Sequence, residues 1–180
     1  MEREDKGKRY TIGQEQLLRL KTKNLTIEEQ EELRKLLAPR SRFLPSTEEK
    51  IFELVRFMLK DRYTTFLNCI EQLKTNFSNL VFVWKIGDKR NILYYKVTQN
   101  SQGICSIGIH LDTIEGRITL DKKSCDTFEI HRKEFARMQT QWIFDTVPFK
   151  NNKKKLYFDL TEPVLQKDFL QVLLLQRKAK

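Results

Sequence analysis

At 180 residues the chain is long enough for one sizeable core and too short to divide comfortably into two large independent domains. Its 32% charged and 39% hydrophobic residues depart from the usual globular balance, yet 12 Phe, 5 Tyr and 2 Trp supply too much burial capacity for a disordered chain. The formal charge of +10 is spread thinly, with mild enrichment near the C-terminal end, so it favours a polyanionic partner only weakly.

The opening run Met1-Glu2-Arg3-Glu4-Asp5-Lys6 is charged and leads into no apolar segment of secretory length. No stretch approaches the ~18 apolar residues of a membrane span. The expected localisation is intracellular, cytoplasmic or nuclear, without membrane insertion. Cys69, Cys105 and Cys125 make an odd set with no C-x-x-C spacing and read as reduced thiols.

In chain order, residues 1–9 form a charged tail and residues 14–21 a short helix. Thr26-Ile27-Glu28-Glu29 is a capping box that opens a second helix, with Leu33, Leu36 and Leu37 on one face. Pro39 and Pro45 bound an extended linker. Residues 1–45 are thus expected as tail, helical arm and linker, and residues 46–180 as a single α+β core domain. Ser46-Thr47-Glu48-Glu49 is another capping box, and Ile51, Leu54, Val55, Met58 and Leu59 behind it keep helical spacing. Thr64 or Thr65 caps a further helix carrying Phe66, Ile70, Leu73 and Phe77.

From residue 80 the texture turns β-branched and aromatic. Residues 80–86, 92–98 and 104–111 read as strands of an antiparallel meander joined by short polar connections. In the third, Cys105, Ile107, Ile109 and Leu111 face one way and Ser106, Gly108 and His110 the other, which predicts one dry and one wetter sheet face. A turn at Glu115-Gly116 leads to a short fourth strand at 117–120. A helix starting near Asp126 places Phe128, His131, Phe135, Met138 and Trp142 on one stripe. Leu156, Phe158 and Leu160 alternate as a fifth strand. Pro163 opens a final helix with Leu165, Phe169, Val172 and Leu173 inward, while Leu174 and Leu175 widen its apolar circumference. The fold class expected is α+β: N-terminal helices, then a meander sheet of four to five strands packed against helices.

No catalytic motif emerges. Neither a Gly-rich phosphate loop, a nucleophile elbow nor a kinase signature occurs, and the two histidines lack partners at metal-ligand spacing. No cofactor, metal or catalytic residue is assigned, and the reading leans away from an enzyme. His131 reads as a packed histidine bonded to backbone and His110 as plain surface. Cys125 is the one thiol beside cations, Lys122 and Lys123, and still reads as incidental.

Basic clusters remain: Arg40 and Arg42 in the linker, Lys89 and Arg90 in the first hairpin, Lys122 and Lys123 after the fourth strand, and Lys153, Lys154 and Lys155 in an expected exposed loop. Such side chains grip phosphate without reading sequence, and Trp84, Tyr94 and Tyr95 would offer stacking surfaces if they faced outward. Two functions follow. The favoured one is a non-enzymatic adaptor or subunit acting through protein contacts or self-association, on a nucleic-acid-containing assembly, with Leu33, Leu36, Leu37, Leu174 and Leu175 as interface. The alternative is a sequence-nonspecific DNA- or RNA-binding protein using the basic loops.

Overall fold

The computed structural model describes residues 26–28, 47–86 and 93–179. The chain is α+β: five strands in the order β1-β2-β3-β4-β5 form an antiparallel meander with helices on one side. The arm helices and proline-bounded linker, including Leu33, Leu36, Leu37, Arg40 and Arg42, lie outside the described residues, as do Lys89 and Arg90.

Helix α1 (Glu48–Leu59) starts where Thr47 accepts a hydrogen bond from the Lys50 amide at 3.4 Å. Its five apolar residues at helical spacing are all buried. A 3-10 turn (Lys60–Arg62) leads into α2 (Tyr63–Asn76), which starts ahead of both threonines and has no side-chain cap. The register of α2 is held instead by burying Phe66, Cys69, Ile70 and Leu73.

The strands are β1 (Leu80–Ile86), β2 (Leu93–Gln99), β3 (Gln102–His110), β4 (Thr113–Asp121) and β5 (Lys153–Asp159). Asn100 and Ser101 both take positive φ, 49° and 64°, making the two-residue turn whose twist matches a hairpin. The turn before β4 is not at Glu115-Gly116 but at Leu111-Asp112, with Asp112 at φ 52°. An Asp tolerates the left-handed region, so the chain reverses earlier and Gly116 falls inside the strand. There it serves packing: a Cβ at Gly116 would stand 2.6 Å from the Phe169 ring.

Between β4 and β5 the chain makes α3 (Lys122–Ile130), a 3-10 turn (Arg132–Glu134), a π-helical turn (Arg137–Gln141) and α4 (Trp142–Thr146). The single stripe expected from Phe128 to Trp142 is therefore broken. Asp121, not Asp126, caps α3, accepting from the Ser124 amide at 2.8 Å. Phe135 is extended and stacks on Phe128 at 4.7 Å, and Phe144 stacks on the same ring at 4.2 Å. Met138 and Trp142 are left 81% and 60% exposed. Buried Asp168 fixes the bend by accepting from the Ala136 amide at 3.0 Å and the Thr140 hydroxyl at 2.6 Å.

Helix α5 (Pro163–Ala179) buries Leu165, Phe169, Val172 and Leu173 as its spacing requires. Leu175 is also buried and Leu174 is partly buried against the core, because α3 packs beside α5. The wide apolar circumference thus finds its second neighbour within the fold, which corrects the expectation that Leu174 and Leu175 stand free as an interface. No helix of the described residues is long and apolar enough to cross a membrane.

Candidate functional site

Strand alternation divides the sheet's side chains sharply. Trp84, Leu93, Tyr95, Val97, Cys105, Ile107, Ile109, Ile114, Ile118, Leu120, Leu156 and Phe158 are buried on one face beneath the helices. Contacts of Phe52 in α1 and Phe66 in α2 with Trp84 and Tyr95, and of Phe169 in α5 with Phe158, all fall on that face. Trp84 and Tyr95 stack on each other there at 4.1 Å, so they are core, and only Tyr94 of the three strand aromatics points outward.

Among the described residues no helix packs on the outer face. The strand register sets two rows across it. One runs Val83, Lys96, Ser106, Arg117, Tyr157, each opposite the next. The row beside it runs Lys85, Tyr94, Gly108, Glu115, Asp159. Further along β4 and β5, Thr119 stands opposite Lys155 and Asp121 opposite Lys153.

The charges on this face are unequally committed. Glu115 pairs with Arg117 at 2.8 Å, the Asp121 carboxylate caps α3, and Asp159 accepts from the Thr161 amide at 2.9 Å. Arg117 also lies 5.8 Å from the Tyr157 ring. Lys85, Lys96, Lys153 and Lys155 are exposed and make no ion pair among the described residues. The face therefore presents uncommitted ammonium groups beside carboxylates that are already engaged. Such an arrangement attracts phosphate or another polyanion.

The cluster 153–155 needs correction. It is strand, not loop, because Asn151 and Asn152 take φ 53° and 59° and turn the chain directly into β5. Alternation then sends Lys153 and Lys155 outward and Lys154 inward. Lys154 is buried, donates from Nζ to the Phe144 carbonyl at 2.7 Å and lies 4.0 Å from that ring's centre. It ties α4 to the sheet and is not available to a ligand. Lys122 and Lys123 are exposed in the first turn of α3, next in sequence to Asp121 opposite Lys153, so they join the same corner. Lys85 and Lys96 escaped the sequence reading because each is an isolated lysine. The signal that would have found them is parity: each occupies a polar position of an alternating strand.

Among the described residues the other reactive groups do not gather. Cys69, Cys105 and Cys125 are all buried, and burial pushes their thiols up, to about 12 for Cys69 and about 11 for Cys125 despite nearby Lys154. His131 is not packed: its Nδ1 lies 2.6 Å from Glu134, at the end of α3. His110, half-buried on the outer face, is held below the ordinary imidazole range by burial. Arg132 joins Glu129, Gln141 and Asp145 in a surface cluster, and its hydrogen bond holds the Asp145 carboxyl low. Among the described residues no three His, Cys, Asp or Glu side chains gather as a metal site. A small cleft of about 170 Å³ lies between Phe77, the Asn100 turn and the Leu173–Arg177 stretch of α5, and it holds no titratable pair. No protein-family model, curated protein or solved structure matches this chain.

Proposed function

We propose that the chain is a non-catalytic intracellular binding subunit whose outer sheet face contacts a polyanion, nucleic-acid backbone first among them. The observation that carries this reading is that Lys85, Lys96, Lys153 and Lys155 share one face without ion pairs among the described residues, while Glu115, Asp121 and Asp159 beside them are engaged. Lys122 and Lys123 extend it at the β5 corner. The contact is through charge and carries no base-specific readout.

The test compares two triple variants of equal charge change. Lys85→Glu/Lys96→Glu/Lys155→Glu reverses the sheet face. Lys50→Glu/Lys133→Glu/Lys167→Glu reverses three exposed lysines outside it. Retention on immobilised RNA and on heparin near ~0.1 M salt is measured for both and for the parent. The sheet-face variant is expected to lose more than about tenfold in affinity, and the other to stay within about threefold. Equal losses, or a parent chain that neither matrix retains, refute the reading.

A second reading, an adaptor that works by protein contact or self-association, is supported by Met138 and Trp142. They lie one helical turn apart and both expose large apolar side chains in the helical insert. Sedimentation over a range of concentrations checks self-association. A monomer whose behaviour Trp142→Glu leaves unchanged removes a second copy of the chain as the partner.

A further inference from the structure

We infer that the ligand of the outer face is a single strand of nucleic acid laid diagonally across the sheet, with its bases turned toward Tyr94 and Tyr157. This deepens the polyanion reading and rests on it.

The register sets the diagonal. Lys85 on β1 lies opposite Tyr94, and Lys96 stands two residues beyond Tyr94 on β2. Ser106 connects Lys96 to Arg117 on β4 in the same row, and Arg117 lies opposite Tyr157 on β5. Lys155 and Lys153 continue along β5 beyond Tyr157. With strands ~4.8 Å apart and ~6.8 Å between residues on one face of a strand, the cationic positions follow one another in steps of about 7–10 Å. The line runs corner to corner and spans about 28 Å end to end on the same spacings. A linear polyanion can follow it, meeting uncommitted lysines toward both ends and the Glu115-paired Arg117 between them.

The two tyrosines select among polyanions. Tyr94 adjoins both Lys85 and Lys96, and Tyr157 adjoins both Arg117 and Lys155. Both lie on the same side of the diagonal, toward the sheet end that carries Lys85. Both are half-buried, and the Arg117 guanidinium lies 5.8 Å from the Tyr157 ring. A chain whose phosphates follow the cations would therefore place its other substituents over two aromatic rings on one side. Nucleobases stack on such rings, whereas inorganic polyphosphate and sulfated sugars have no ring to offer. Duplex DNA fits less well. Reading or gripping a groove needs a projecting helix or ribbon, and the described outer face is a twisted sheet without one. A single strand lies along a sheet and can splay its bases onto it.

The experiment is fluorescence-anisotropy binding of a labelled oligo-U or oligo-dT strand of about twelve nucleotides, competed by unlabelled duplex of equal length and by inorganic polyphosphate. For the parent chain, log affinity should fall with log salt at a slope near −2.8, from about −0.7 for each of the four uncommitted lysines. Lys96→Ala and Lys155→Ala should each flatten the slope by about 0.7. Tyr94→Leu and Tyr157→Leu should each weaken single-strand binding by about fivefold or more and leave polyphosphate competition unchanged. Circular dichroism and melting confirm that the variants fold, and Tyr94→Phe and Tyr157→Phe, which keep the ring, should bind as the parent does. Equal affinity for strand, duplex and polyphosphate, with silent leucine variants, overturns the single-strand inference alone. Failure to bind any of the three overturns the polyanion reading with it.

Discussion

Replacing Gly116 by Ala adds one methyl group where the Phe169 ring of α5 packs directly onto β4. Its Cβ would stand 2.6 Å and 2.7 Å from two Phe169 ring carbons and 3.0 Å from a Leu160 methyl. Relaxed carbon contacts lie at ~3.5–4.0 Å, so the ring must retreat by about 1 Å. Phe169 is fully buried and packs edge-on against Phe158 at 5.6 Å, and its helix also buries Leu165, Val172 and Leu173. The ring therefore has nowhere to go without moving its helix. Overpacking of this kind costs about 1–3 kcal/mol, and the smaller entropy of an unfolded Ala offsets about 0.4–1 of it. A net destabilisation of about 1–2 kcal/mol is expected, seen as a lower urea midpoint with an unchanged m-value. Phe169→Leu removes the ring carbons from the clash, so the double variant should lose less than the two single losses combined, by about 1 kcal/mol. A Gly116→Ala chain as stable as its parent, or a double-mutant cycle that adds within about 0.4 kcal/mol, refutes this account of the glycine.

The lysine run offers a sharper contrast, because three neighbours of one type should behave differently. Lys154→Ala removes the donor to the Phe144 carbonyl and opens a buried gap, at a cost of about 2–3 kcal/mol. Lys153→Ala and Lys155→Ala should stay within about 0.5 kcal/mol in the same urea titrations, and equal effects at all three would contradict the alternation. The thiols give a chemical check: with Cys125 pushed up to about 11, only about 0.1% is thiolate at pH 8. An alkylating reagent should therefore leave the native chain nearly untouched and label all three cysteines once it is unfolded. One fast-reacting thiol in the native protein would show that a cysteine is more accessible than its burial implies.

Much of the fold is local enough to be legible in the chain. Helix α1 and the inward stripe of α5 follow from spacing alone, since a 3.6-residue period fixes which side chains share a face. The bounds of β1 are those the apolar run 80–86 marks, and the split between Cys105, Ile107 and Ile109 on one side and Ser106 and His110 on the other is the pleat itself. The errors occur where a residue has two local roles. Gly116 reads as a turn former, but here an aromatic ring needs its missing Cβ. Phe128, Phe135 and Trp142 fit one helical stripe, but stacking of Phe135 and Phe144 on Phe128, and the hold of Asp168 on the bend, favour a broken path.

The amino-acid sequence by itself determined the α+β class, the antiparallel meander and the dryness of one sheet face, because each depends on neighbours a few residues apart. Only the tertiary structure decided which cations share a surface. Lys85 and Lys96 lie far along the chain from Lys153 and Lys155 and share their face through strand register, whereas Lys154, between the latter two, is carried into the core by the same two-residue pleat. Charge clusters in a sequence count proximity along the chain, but a polyanion responds to proximity across the sheet, and pairing between distant strands is what converts one into the other.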